Sequence, residues 1–85
     1  MNKWNEISYV LASQYRKNVL NELDKGKTPS MLAKSLNVNL SHVSRALKEL
    51  SVKGLVKCLT PKVRKGKIFK RTKQGDALIK RMEKI

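Results

Sequence analysis

Acidic residues are scarce in this 85-residue chain: six Asp and Glu stand against twenty Lys and Arg, for a net charge of +14. The carboxylates are scattered, so no pair is placed for general acid and base work. Glu22 and Asp24 lie two apart, where a solvated helix end is the ordinary explanation. There is one histidine, His42, and one cysteine, Cys58. A single cysteine excludes an internal disulfide, and neither residue has a neighbour in sequence with which to hold a metal. No Ser/His/Asp or Cys/His arrangement and no Gly-rich phosphate loop is present, so the chain reads as non-enzymatic, with no cofactor, no metal and no small-molecule effector. Aromatics make up only 5% of residues, too few for a base-stacking platform of the kind that holds single strands. The longest apolar run, Tyr9-Val10-Leu11-Ala12, is far short of the ~20 residues that span a bilayer. The first residues also lack the apolar core of a signal peptide, and a soluble cytoplasmic protein is expected. The length suits one domain, residues 1–85, without a separate sensing domain.

What the chain has is basic charge, unevenly distributed. Residues 1–40 carry six Lys and Arg against three acids, and residues 41–85 carry fourteen against three. Between positions 57 and 73 there are eight basic residues and no acidic one. A Lys-rich surface can serve solubility alone. Clustering in one half favours contact with a polyanion.

The apolar spacing gives the elements. Ile7, Val10 and Leu11, then Tyr15, Val19 and Leu23, follow a helical 3, 4 pattern. With Ser13 as a candidate cap, this predicts either one bent helix or a short helix followed by a second over about residues 14–24. Gly26 is expected to end it in the left-handed region. Thr28 before Pro29 starts a helix, with Leu32 and Leu36 inward and Ala33 small enough for a close neighbour. Asn37 suits a left-handed turn, Val38 plugs it, and Asn39 can cap a helix whose inward stripe is Val43, Ala46, Leu47 and Leu50. Gly54 closes that helix. Residues 55–59 read as a strand, Thr60-Pro61 and Gly66 as turn signals, residues 67–72 as the returning strand, and Thr72 as the cap of a last helix carrying Ala77, Leu78, Met82 and Ile85. The fold class is mainly α with a small β-hairpin.

Residues 28–48 therefore form two short helices joined by a tight turn, the second with its polar groups turned outward. That is a helix-turn-helix, in which the second helix suits the DNA major groove. With the basic hairpin after it, the order resembles the winged helix-turn-helix of the ArsR and MarR type, in a minimal archaeal-like form. The motif spans about residues 28–53, the wing about 55–72, and terminal helices flank them. The resemblance is carried by Ser13-Gln-Tyr-Arg16, by Ala33 with Asn37 and Val43, by Val43-Ser-Arg-Ala-Leu-Lys-Glu-Leu50, and by Lys53-Gly-Leu-Val56. It implies a transcriptional regulator that binds double-stranded DNA sequence-specifically, as a nucleoid-associated homodimer. Two departures stand out. Paired cysteines near the second motif helix are absent, so a metal-sensing role does not carry over. Arg71 stands where such wings usually have an apolar residue, and neither Ile68 with Lys70 nor Phe69 with Arg71 gives a clean apolar face to set the register.

The candidate contacts follow. Leu40, Ser41, His42, Ser44, Arg45 and Lys48 lie on or beside the outer face of the second motif helix. Arg45 suits guanine, Lys48 a phosphate, and His42 a base or a phosphate. Lys62, Arg64, Lys65 and Lys67 make the wing tip, where Arg suits a minor groove. Thr28 and Ser30, at the start of the first motif helix, are candidate backbone contacts. Tyr15 is expected in the core. Trp4, Ile7, Tyr9, Leu11, Met82 and Ile85 are spare apolar residues for a dimer interface. The rival readings are a weakly specific architectural DNA binder and a winged-helix module for RNA or protein.

Overall fold

The computed structural model describes residues 3–84, with side chains for residues 5–84. Its elements are α1 (Lys3–Leu11), α2 (Gln14–Glu22), α3 (Pro29–Leu36), α4 (Leu40–Val52), β1 (Val56–Cys58), β2 (Phe69–Arg71) and α5 (Lys73–Glu83). The leading segment is two helices, separated where Ser13 adopts an extended backbone and accepts a hydrogen bond from the Arg16 N–H at 3.3 Å. Ile7 and Val10 of α1 are buried, whereas Leu11 is 46% exposed. Ile7 therefore belongs to the core, and its side chain is withdrawn from the residues free to meet a second chain.

On α2 the inward positions are Val19, Leu20 and the capping Leu23, with Arg16 one turn earlier on the same face. Val19 and Leu23 are buried as the spacing predicts, but Arg16 and Leu20 complete the face in place of Tyr15. Tyr15 is consequently 39% exposed and is not a core residue. Gly26 also departs from expectation. Only Gly54, Gly66 and Asn37 have positive φ among the described residues. The helix ends earlier, at Glu22, and Gly26 instead admits a neighbour: a Cβ there would lie 2.8 Å from Ile68 Cγ2.

The helix-turn-helix follows local chemistry closely. Thr28 Oγ1 accepts from the Met31 N–H at 3.2 Å, and Pro29 occupies the first helical position. Asn37 turns the chain at φ 55°, with the Val38 N–H donating to the Ala33 carbonyl at 3.0 Å and the Asn37 N–H to Lys34 at 3.3 Å. These paired bonds satisfy the last carbonyls of α3 and aim the chain into α4. Asn39 occupies the cap position of α4, but its side chain makes no capping bond. Val43, Ala46, Leu47 and Leu50 are all buried, as the sequence pattern requires. Gly54, at φ 75°, ends α4 with the same bond pair, Gly54 to Ser51 and Leu55 to Leu50, both at 3.0 Å.

The hairpin pairs Val56 with Arg71, Lys57 with Lys70, and Cys58 with Phe69. Phe69 packs against the core, so Phe69 and Arg71 share the inward face. Arg71 is accommodated there by its partners. Its Nε donates to Asp76 Oδ1 at 2.9 Å, and its Nη1 lies 3.4 Å and 3.5 Å from the carbonyls of Leu20 and Asn21 at the end of α2. A guanidinium thus closes the carbonyl end of one helix and meets an acid in the first turn of another. Lys27 adds a third edge to the sheet by exchanging backbone bonds with Phe69 at 3.0 and 2.8 Å. Thr72 caps α5 by accepting from Gly75, while its hydroxyl donates to the Gly54 carbonyl at 2.7 Å. The core is filled by α2, α4 and α5 with Leu32, Leu55 and Val56. Burying each such side chain contributes about 1.5–3 kcal/mol. No helix among the described residues is long and apolar enough to cross a membrane.

Candidate nucleic-acid interface

With its inward stripe fixed, α4 presents an outermost line of Ser41, Arg45, Lys48 and Val52, all exposed. Arg45 is 81% exposed in its side chain and Val52 78% overall, the latter an exposure that the sequence pattern did not single out. The two flanks of this line differ. Leu40, Ser44 and Ser51 turn toward the hairpin, whereas His42 and Glu49 turn toward α2.

On the hairpin side there is a cleft of about 500 Å³. Thr28, Ser30, Leu40, Ser44 and Lys48 line it from the helical motif, and Arg64, Lys65 and Lys67 from the wing. Eight of the candidate residues, drawn from three separate stretches of sequence, thus meet in one concavity. Pro29, Leu47 and Phe69 give it an apolar floor. Three candidates lie elsewhere on α4 and one on the wing. Ser41 and Arg45 are on the outer line, His42 is half-buried on the far flank, and Lys62 is exposed outside the cleft.

The far flank is organised by Tyr15, Arg16 and Glu49, none of them among the candidate contacts. Tyr15 stacks on His42 with ring centroids 4.3 Å apart and planes within 5°. Beside them, Arg16 donates to both Glu49 oxygens, at 3.2 and 3.4 Å, and to the Tyr9 carbonyl at 2.7 Å. Its guanidinium lies 3.8 Å from the centre of the Tyr9 ring, which also has Lys53 at 4.8 Å. Hydrogen bonding from Arg16 holds the Glu49 carboxyl below the usual carboxylate range, with the Arg45 charge assisting. Arg45 itself reaches Glu49 only at 3.8 Å and stays free to turn outward. Glu22 is similarly lowered, by the Ser35 hydroxyl at 2.8 Å and Lys27 at 3.3 Å, so it ties α2 to α3 and is not merely a solvated acid. The sequence signal for Arg16 was its place three and four residues before Val19 and Leu20. Nothing local marks Tyr15 as a neighbour of His42.

Of the terminal apolar residues, Tyr9 and Met82 are half-buried and Leu11 is exposed. The Trp4 side chain and all of Ile85 lie outside the described residues. No group of three or more His, Cys, Asp or Glu side chains placed to hold a metal occurs among the described residues.

No protein-family model matches the chain, and no curated protein matches it by sequence. Solved structures do match. The apo form of MarR from E. coli is 29% identical, with a TM-score of 0.76 over 96% of this chain and 64% of that one. A cysteine-to-serine mutant of the same protein, complexed with operator DNA, is 27% identical with a TM-score of 0.75 over the same shares of the two chains. The reduced form of the transcriptional regulator YodB from B. subtilis has a TM-score of 0.81 over 99% of this chain and 85% of that one, but at 18% identity it speaks for the fold alone. The chain spans 51–64% of the length of the first structures it matches. The expected winged helix-turn-helix, with its hairpin before the last helix, is the fold of this chain. Its resemblance to MarR-type regulators extends over most of its length. A further match, 25% identical, is a MarR-family transcription regulator, in keeping with the non-enzymatic reading.

Proposed function

We propose that the chain is a cytoplasmic regulator of transcription that binds double-stranded DNA, with α4 in the major groove and the wing on the backbone or in the adjacent minor groove. The observation that carries this reading is the cleft in which Lys48, Arg64, Lys65 and Lys67 converge with the capped start of α3. A DNA backbone passing between groove helix and wing would meet basic side chains from both walls. The operator DNA bound by the E. coli MarR mutant lends support from a similar fold. In this reading, neutralised phosphates supply most of the affinity, and Ser41, Arg45 and their neighbours on α4 read base edges. A homodimer would present two such helices to half-sites about one helical turn, roughly 34 Å, apart.

The charge of +14 also favours a second reading, an architectural binder with little sequence preference. One experiment separates the two. Duplexes are selected from a random library, and their affinity at moderate salt is compared with that of unselected duplex. A regulator should give an enriched motif and a ratio of at least roughly 10³. A ratio near one would leave only the architectural reading, and preference for RNA over duplex would remove both.

A further inference from the structure

Two hollows lie along α4 on the side away from the wing, one beside its start and one beside its middle turns. One, of about 260 Å³, is lined by Ser13, Tyr15, Arg16, His42, Arg45 and Glu49. The other, of about 330 Å³, is lined by Tyr15, Asn37, Val38, Asn39 and His42. The parallel stack of Tyr15 on His42 is the wall common to both. No hydrogen bond among the described residues holds the imidazole, and its ring lies flat on that of Tyr15. Arg16 is occupied by Glu49 and by the Tyr9 carbonyl. Glu49, the one carboxylate in these hollows, is thereby neutralised, and the charge of Arg45 is left in surplus.

An α-helix is about 10–12 Å across and the major groove about 12 Å wide, so a helix lying in it has a phosphate backbone along each flank. The wing and the start of α3 furnish one flank of α4 with basic and hydroxyl groups. The other flank has His42 and Arg45. We infer that the Tyr15–His42 stack is a clamp for a backbone phosphate of duplex DNA, on the strand opposite the one the wing holds. His42 donates to a phosphate oxygen, and Tyr15 is a positioning residue that fixes the imidazole. This rests on the reading of α4 as the groove helix and adds α2 to the DNA-binding surface.

The test measures affinity of the full chain for a selected duplex and for random-sequence duplex. His42→Ala should weaken both by the same factor, roughly ten- to a hundredfold, the loss of one charge-assisted bond. Tyr15→Leu should give a similar loss, Tyr15→Phe should bind within about twofold of wild type, and Tyr15→Leu with His42→Ala should lose no more than His42→Ala alone. The His42 ring resonances should shift on adding random duplex but not on adding inorganic phosphate at matched ionic strength. Should Tyr15→Leu unfold, His42→Ala and the ring resonances carry the test. Full affinity in His42→Ala would overturn the clamp, as would a loss confined to the selected duplex, which would make His42 a base reader. A ring shift with inorganic phosphate alone would point to an anion site independent of DNA and overturn it too. A wild-type chain that binds no duplex would instead fail the proposed function, and the clamp with it.

Discussion

Arg16 donates through Nε to Glu49 at 3.2 Å, joining the first turn of α2 to the last turns of α4 across 33 residues of sequence. Hydrogen bonds from Arg16 lower the Glu49 carboxyl, so in acid the unfolded chain binds the proton first. Stability from this pair is complete above the ordinary carboxylate range and is lost as pH falls through the lowered value. Glu22, lowered by Ser35 and Lys27, acts in the same direction. Thermal unfolding followed from pH 7 down to pH 3 should therefore show a steep acid limb. Glu49→Gln should melt lower than wild type at neutral pH and should flatten that limb. Parallel acid limbs in the two proteins would show that the pair contributes nothing to stability.

Gly75 lies against the chain just before β1 so closely that an added Cβ would fall on the Leu55 carbonyl oxygen, with Arg71 Cβ 3.3 Å away. Helix propensity alone would favour Ala inside α5 by roughly 0.5–1 kcal/mol. Steric displacement of backbone opposes it, at about 1–3 kcal/mol, and should win. Gly75→Ala is expected to lower the melting temperature by several degrees, about 4–8 °C for each net kcal/mol in a domain of this size. A raised melting temperature would mean that the hairpin yields easily.

What the sequence made legible is local. Thr28 with Pro29, the left-handed Asn37 and the four-residue stripe of α4 each depend on neighbours within one or two turns, and each has the expected form. What it hid depends on distant partners. Gly26 suits a left-handed cap or a close approach equally well, and only the position of Ile68 decides between them. Arg71 looks out of place on an inward strand face until the end of α2 and Asp76 are brought beside it. Thr28, Lys48 and Lys65 were expected only as separate groups, and neither their meeting in one cleft nor the stack of Tyr15 on His42 was legible, because both depend on how distant elements pack.

Arg45 stands on the outer line of α4 with only a 3.8 Å contact to Glu49 to restrain it. An exposed pair of that kind contributes little, so a guanine edge can displace the carboxylate readily. Arg45→Ala should cost about 1–3 kcal/mol on the selected duplex and relax preference at one base position. Random duplex should lose less. Binding isotherms on the two duplexes give the comparison, and equal losses would take Arg45 out of base reading.

Arg64 and Lys65 reach the cleft from a wing that has no acidic residue near it in sequence. Their contacts should be electrostatic and indifferent to sequence. The double change Arg64→Ala, Lys65→Ala is expected to weaken binding to every duplex and to make the slope of log affinity against log salt shallower by about one to two units. A slope equal to that of wild type would mean that neither side chain displaces counterions from DNA.

Dimerisation is the remaining expectation, and the fold narrows it. α1 and α5 pack against one another, so apolar residues of both ends of the chain lie near each other. Ile7 is taken by the core, which leaves Leu11, 46% exposed, with half-buried Tyr9 and Met82 as the described apolar groups for a partner. Two chains of +14 repel one another, so an apolar contact should strengthen as salt screens that repulsion. Over the same range DNA binding should weaken, as displaced counterions contribute less. Sedimentation at micromolar concentration should therefore show a two-chain species that grows with salt, and the double change Trp4→Ala, Leu11→Ala should return it to monomer. A chain that stays monomeric at high salt, and binds one half-site as tightly as two, would rule out the homodimer while leaving duplex binding intact.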